Sequence, residues 1–176
     1  MENDSLQTSL TWLHGVLRGK IGHGLDTRVL EGLRVVHAEK GLMRFDLVVP
    51  NGVSDVDGNW HVGALASLLD LLGGVAIFSF ANRIITSVDF NVSYYSTAKI
   101  QEHVEIESKV TANRGKLIHV VVEVKRKGNG EVHFLCYLLF KDRSECRHDY
   151  FYRHHFEPED ELERKVAIKA KRKIQW

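Results

Sequence analysis

Cysteine and proline are scarce in this chain, two of each in 176 residues. Two thiols, Cys136 and Cys146, cannot build a disulfide framework, and neither stands in a CxxC pair, so both are expected to be reduced. Charge of one sign is also lacking: the formal net charge of +1 gives no general attraction to nucleic acid or to an anionic membrane. No internal repeat, low-complexity tract or GxSxG elbow occurs, and the last absence disfavours serine-hydrolase chemistry. The opening MENDSLQTS is acidic and polar where a signal or transit peptide would be basic, and the final IQW is not a peroxisomal tripeptide. A cytoplasmic location is the default expectation.

What is present fits one domain with a real core. Hydrophobic residues make up 44% of the chain, an ordinary share for a globular protein. Leu6, Leu10, Leu13 and Leu17, spaced by four, three and four, predict an amphipathic helix from near Ser5 to Gly19. The glycine-bearing link from Gly19 to Gly24 reads as a connector, because no strand precedes it and its spacing suits neither phosphate-binding fingerprint. Alternation at Met43, Phe45, Leu47 and Val49 predicts a strand that stops at the turn Pro50-Asn51-Gly52. Beyond Phe80, the runs Ile85 to Tyr95, Val104 to Thr111, Leu117 to Lys127 and Glu131 to Phe140 are β-branched and aromatic, separated by short polar breaks. Successive strands of this kind are expected to be antiparallel neighbours. The organisation that follows is α+β: residues 1–32 a helix and connector, 33–140 the main domain, and 141–176 a charged, partly helical tail. A helix from Pro158 to Lys173 would have acids first and bases last, as the helix dipole favours. Cys146, His148, His154 and His155 match no standard metal-site spacing, so no metal is expected, and Lys165 to Lys173 read as a solvated face rather than a nucleic-acid contact.

The run Trp60 to Phe80 is almost wholly apolar, with Asp70 alone in its middle. At helical spacing Asp70 shares a face with Gly63, Ala66, Ser67, Gly73, Gly74 and Ile77, while Leu65, Leu68, Leu69, Leu72 and Val75 carry the bulk on the other side. Such a helix would be buried nearly all round, with a bare strip on which something can approach the backbone. A central ionisable residue argues against a membrane span. A carboxylate in an apolar setting is a stronger base, although a buried aspartate satisfied by a neighbouring hydroxyl is an equally open reading. Backbone N–H groups at the start of the helix, Trp60-His61-Val62-Gly63, suit a developing oxyanion. Helical rise puts Val62 and Asp70 about 12 Å apart. They could serve one reaction only across a twofold axis, with a second copy of the helix antiparallel to the first.

The stretch Asp57-Gly58-Asn59-Trp60-His61-Val62-Gly63-Ala64 through Asp70, then Ser87-Val88-Asp89-Phe90 and Tyr94-Tyr95-Ser96-Thr97-Ala98-Lys99, resembles the hot-dog-fold acyl-coenzyme A (acyl-CoA) thioesterases of the PaaI and acyl-CoA thioesterase 13 type. The resemblance runs from about Leu33 to Gly130. It implies a hot-dog fold, a long central helix wrapped by an antiparallel sheet of five to six strands, here with an extra N-terminal helix and a charged C-terminal tail. It also implies catalytic roles: Asp70 as general base or nucleophile, Ser87 placing water, the Val62 N–H holding the thioester oxygen, and Asp55 at a position where the family carries asparagine. An ionised Asp55 cannot donate, so Asp55 is protonated, another donor such as the nearby Asn59 amide substitutes, or turnover is slow. Substrate contacts are implied at His61 and Gly63 beside the helix start. Coenzyme A (CoA) contacts are implied at Tyr94, Tyr95, Ser96, Thr97, Ala98 and Lys99 and at Asn113, Arg114, Gly115, Lys116, Leu117 and Ile118. Val62 where glycine is usual, and the bulky run Val132 to Phe140 where small and basic residues are usual, depart from the pattern.

The reading that follows is hydrolysis of fatty or aromatic acyl-CoA to free acid and CoA, without cofactor or metal, in a homodimer or dimer of dimers with shared sites. The alternative is a hot-dog protein that binds acyl-CoA without efficient hydrolysis. A third reading, a structural or partner-binding dimer, rests on the tail alone. A hot-dog dehydratase is disfavoured because His61 at the helix start has no matching acid.

Overall fold

Leucine spacing near the N-terminus does produce a helix, α1 (Ser5–Leu17), in which Leu13 and Val16 are fully buried. The computed structural model describes residues 5–81 and 85–142, so the expectations for the tail, including its helix and its cysteine and histidines, lie outside the described residues. A turn with Gly19 and Gly22 at positive φ leads to a short second helix, α2 (Gly24–Val29), where the sequence pattern indicates only a connector. Six residues are too few to show a helical period. The entry to α2 is set by the His23 N–H, which donates to the Asp26 carboxylate at 2.9 Å.

Six strands follow: β1 (Arg34–Glu39), β2 (Leu42–Val48), β3 (Ile85–Tyr94), β4 (His103–Arg114), β5 (Leu117–Arg126) and β6 (Val132–Asp142). They form one antiparallel sheet in the order β1-β2-β4-β5-β6-β3. Alternation does not reveal β1, because it is an edge strand with no fully buried position. The expectation of sequential neighbours needs one correction. β3 does not pair with β4; the connection after Tyr94 carries the chain away, and β3 closes the far edge against β6.

The central helix, α3 (Val62–Ala81), begins two residues later than the apolar run suggests. Trp60 and His61 are still extended, their N–H groups donating to Ala98 O and Val53 O, each at 2.8 Å. From Val62 the bulky residues Leu65, Leu68, Leu69, Leu72, Val75 and Ile77 are buried against the sheet, α1 and α2. By length and composition this helix could cross a membrane, but its apolar side is spent on the core. Three serines pin it. Ser108 of β4 donates to Leu72 O at 3.0 Å, Ser79 accepts the Gly41 N–H at 3.0 Å, and Ser5 donates to Ser79 O at 2.6 Å.

Of the adjacent glycines, Gly73 lies where close packing demands it. An added Cβ would meet Leu138 Cδ1 at 2.7 Å and Phe140 at 3.3 Å. Gly74 has only Ile85 Cδ1, at 4.0 Å. The helix is therefore not buried all round: Gly63 is exposed, and Ala66, Ser67, Asp70 and Gly74 are half-buried, forming a strip that the chain leaves open.

Candidate active site

Asp70 stands in the middle of that open strip, with its carboxylate reached by one hydroxyl. Ser87 Oγ donates to Asp70 Oδ1 at 2.6 Å. Ser87 comes from β3, beside a register shift between Ser87 and Asp89 that breaks the regular pairing with β6. Burial in apolar surroundings pushes the Asp70 carboxyl above its ordinary range, and the Ser87 hydroxyl partly opposes the shift. A base and a hydroxyl that can also accept from water are thus in direct contact.

The start of α3 supplies donors. The Gly63 N–H is taken by His61 Nδ1 at 3.1 Å, and Leu65 N–H by His61 O at 3.0 Å, whereas the Val62 N–H has no acceptor among the described residues. Val62 is 58% exposed as a residue.

Asp55 is an acceptor. Its Oδ1 takes the N–H groups of Asp57 at 2.9 Å and Asn59 at 2.8 Å, and its Oδ2 takes Asn59 Nδ2 at 3.0 Å. The Asn59 side chain, then the Asn59 and Asp57 backbone donors and the Lys99 charge, outweigh desolvation and hold Asp55 below the usual carboxylate range. Its carboxylate is therefore ionised at neutral pH and closes the Asp55–Asn59 loop. The Asn59 amide, the nearby replacement donor, is already engaged with Asp55.

The two segments implied to meet CoA are far apart in one chain. Tyr94 pairs with Phe134, and Leu117 with Lys141, at opposite ends of β6. Seven residues of strand separate them, about 23 Å at the usual rise. The turn Tyr94 to Lys99 lies at the Val62 end, tied by Trp60 N–H to Ala98 O at 2.8 Å. The hairpin Asn113 to Ile118 lies at the Asp70 end, because Ser87 and Ile118 both pair with Phe140. Each chain therefore holds these residues in two separate groups: Val62 with the first turn, and Asp70 and Ser87 with the hairpin. Among the turn and hairpin residues, Tyr94, Tyr95, Thr97 and Lys99, and Asn113, Arg114, Gly115, Lys116 and Leu117, are exposed, and Gly115 has φ +61°. Ala98 and Ile118 are buried, so their side chains belong to the core.

Sequence spacing also misses a polar cluster at the first turn. Ser96 Oγ lies 2.6 Å from His133 Nδ1, and His133 Nε2 lies 2.7 Å from Glu102 Oε1. The pairing of β3 with β6 brings Ser96 to His133, and the β4-β5-β6 order brings Glu102 to it.

One long helix wrapped by a six-stranded antiparallel sheet, with an acid on its open strip, defines a hot-dog-fold protein. The thioesterase superfamily model matches residues 57–133. Zebra fish thioesterase superfamily member 2 is 26% identical, with 76% of this chain and 96% of that chain covered and a TM-score of 0.67. The Escherichia coli PaaI protein is 12% identical, covering 80% of this chain and 99% of that one with a TM-score of 0.64. A hypothetical thioesterase from Streptococcus pneumoniae TIGR4, solved with coenzyme A, is 14% identical, with 76% and 95% covered and a TM-score of 0.63. No curated protein matches the chain. The resemblance to hot-dog thioesterases of the PaaI type, carried by the helix and strand motifs, therefore holds in fold and in the matched central segment.

Proposed function

We propose that the chain hydrolyses the thioester of fatty or aromatic acyl-CoA, releasing free acid and CoA. The observation that carries this reading is the 2.6 Å bond from Ser87 to a desolvated Asp70 on an otherwise bare helix strip. Ionised Asp70 takes a proton from water as the water oxygen attacks the acyl carbonyl, and Ser87 holds that water. The alternative within the same site is direct attack by the carboxylate. The carbonyl oxygen is met by the Val62 N–H of a second copy, since within one helix the two positions are about 12 Å apart. The same pairing would supply the Tyr94 to Lys99 turn from one copy and the Asn113 to Ile118 hairpin, with Arg114 and Lys116 for phosphates, from the other. Thiolate leaves with little acid assistance, so the reading requires no metal.

A thiol-release assay over a panel of acyl-CoAs tests the proposal, with Asp70→Asn as the control. Turnover at the wild-type rate in that variant would sink it. The second reading, acyl-CoA binding without efficient hydrolysis, is favoured by the ionised Asp55 at a position the family fills with an amide donor. Calorimetric binding without thiol release would select it.

A further inference from the structure

The geometry points to Ser96 as an activated nucleophile, with His133 as its base and Glu102 as the acid that orients the base: a second acyl-transfer centre, distinct from Asp70, for unhindered carboxylic esters or thioesters. Ser96 Oγ and His133 Nδ1 are 2.6 Å apart, and His133 Nε2 and Glu102 Oε1 are 2.7 Å apart. The His133 side chain is fully buried, so its ring cannot exchange these partners for water. Glu102 is held ionised, because bonds from Arg126, the Lys99 N–H at 3.1 Å and His133 outweigh desolvation. An ionised carboxylate accepts only, which puts the proton on Nε2 and leaves Nδ1 to accept from Ser96. A serine–histidine–acid relay is recognised by such roles and distances, and it has no required sequence motif, so the absence of GxSxG does not exclude it.

A donor for an oxyanion follows the nucleophile directly. The N–H group of exposed Thr97 has no acceptor among the described residues, whereas those of Tyr95 and Ser96 are taken by His133 O at 2.9 and 3.4 Å. Ser96 itself is half-buried, and the neighbouring rings of Tyr94 and Tyr95, 52% and 63% exposed, offer an apolar surface for an acyl or aryl group. In the reaction Ser96 Oγ bonds to the acyl carbon as its proton passes to His133 Nδ1. The bond to the leaving alkoxide or thiolate breaks, and that group takes the proton. Water then attacks the Ser96 ester through the same base, releasing the acid and restoring the hydroxyl. Arg126 Nε shares Glu102 Oε1 at 2.7 Å, so the carboxylate that orients His133 is itself held by a second donor.

The test uses the full chain and a fluorophosphonate probe, whose phosphorus an activated serine oxygen attacks, forming a P–O bond as fluoride leaves. One adduct mapping to Ser96 is expected in the wild type and in Asp70→Asn. No adduct is expected in Ser96→Ala, and labelling at least tenfold slower is expected in Glu102→Gln. The glutamine keeps the shape of the side chain, and circular dichroism verifies that each variant is folded. Absence of an adduct at Ser96 in the folded wild type, or equal labelling rates in Glu102→Gln and wild type, would overturn the proposal. Because the readout is a covalent adduct and survives loss of Asp70, its failure is distinct from failure of acyl-CoA hydrolysis.

Discussion

Gly73 on α3 and Leu138 on β6 approach so closely that a single methyl group on the glycine would lie 2.7 Å from Leu138 Cδ1. Leu138 is 1% exposed, so its methyl would have to shift within the core, and the Phe140 ring, at 3.3 Å, lies on the same side. Gly73→Ala is therefore expected to destabilise the fold by about 1–3 kcal/mol, the usual cost of overpacking, despite the better helix propensity of alanine. Gly74→Ala is the contrast. With its nearest neighbour at 4.0 Å it is expected to leave the folded chain unchanged or up to about 1 kcal/mol more stable. Denaturant titrations of the two variants check the difference, and sedimentation of Gly74→Ala shows whether a second copy packs on the open strip.

Replacing Asp70 separates function from stability. Asp70→Asn is expected to lower kcat for thiol release on the order of 10²- to 10⁴-fold, as loss of a general base does. Ser87→Ala, which removes the hydroxyl at 2.6 Å, is expected to lose about tenfold, one hydrogen bond's worth.

The pH dependence of Asp70 has a definite sign. Burial raises its folded pKa above the unfolded value, so folding is favoured below the unfolded pKa and that contribution is lost as pH rises through the folded one. Turnover runs the other way, falling as pH drops through the raised pKa. At neutral pH the neutral Asp70→Asn variant is expected to melt above wild type while being inactive. A lower melting temperature with intact activity would contradict both assignments.

Asp55 gives a prediction in the opposite direction. In Asp55→Asn the side-chain oxygen can keep the two backbone donors of Asp57 and Asn59, and the new amide can face a flipped Asn59 side chain. The loop is expected to survive and turnover to rise several-fold, because a negative charge leaves the vicinity of the developing oxyanion. Asp55→Ala, with no acceptor for three donors, is expected to lose both loop order and activity. Steady-state kinetics of the pair read this directly.

Cys136 reports on the same helix. Burial, followed by the Asp70 charge, pushes its thiol up from 9.0 to about 12. In a Cys146→Ser background it is expected to resist a disulfide reagent at pH 8 until the protein is unfolded, and Asp70→Asn is expected to bring its pKa down. Rapid labelling of the native chain would show the core around β6 to be open.

Much of this protein is legible in its residues. Period alone indicates α1, the run ending at Phe80 indicates α3, alternation indicates β2, and β-branched and aromatic runs indicate the four later strands, including the edge strand β3, which has no fully buried position. The lone acid at Asp70 on a glycine-bearing strip likewise needs no tertiary information to stand out. What escapes is whatever lacks such a signal or depends on pairing. α2 is too short to show a period and β1 lies at an edge. The placement of β3 against β6 rather than β4 is a choice among strands of similar pattern, made only when the sheet closes. That choice brings Ser87 to Asp70, sets Ser96 beside His133, and sends the two CoA-type segments to opposite ends of β6. The three donors to Asp55 are local, from Asp57 and Asn59, but the composition of that loop alone leaves open whether the carboxylate donates or accepts. Composition and period determine which elements form, since those are local properties of the chain; long-range pairing decides which side chains meet, since the contacts join residues far apart in the sequence.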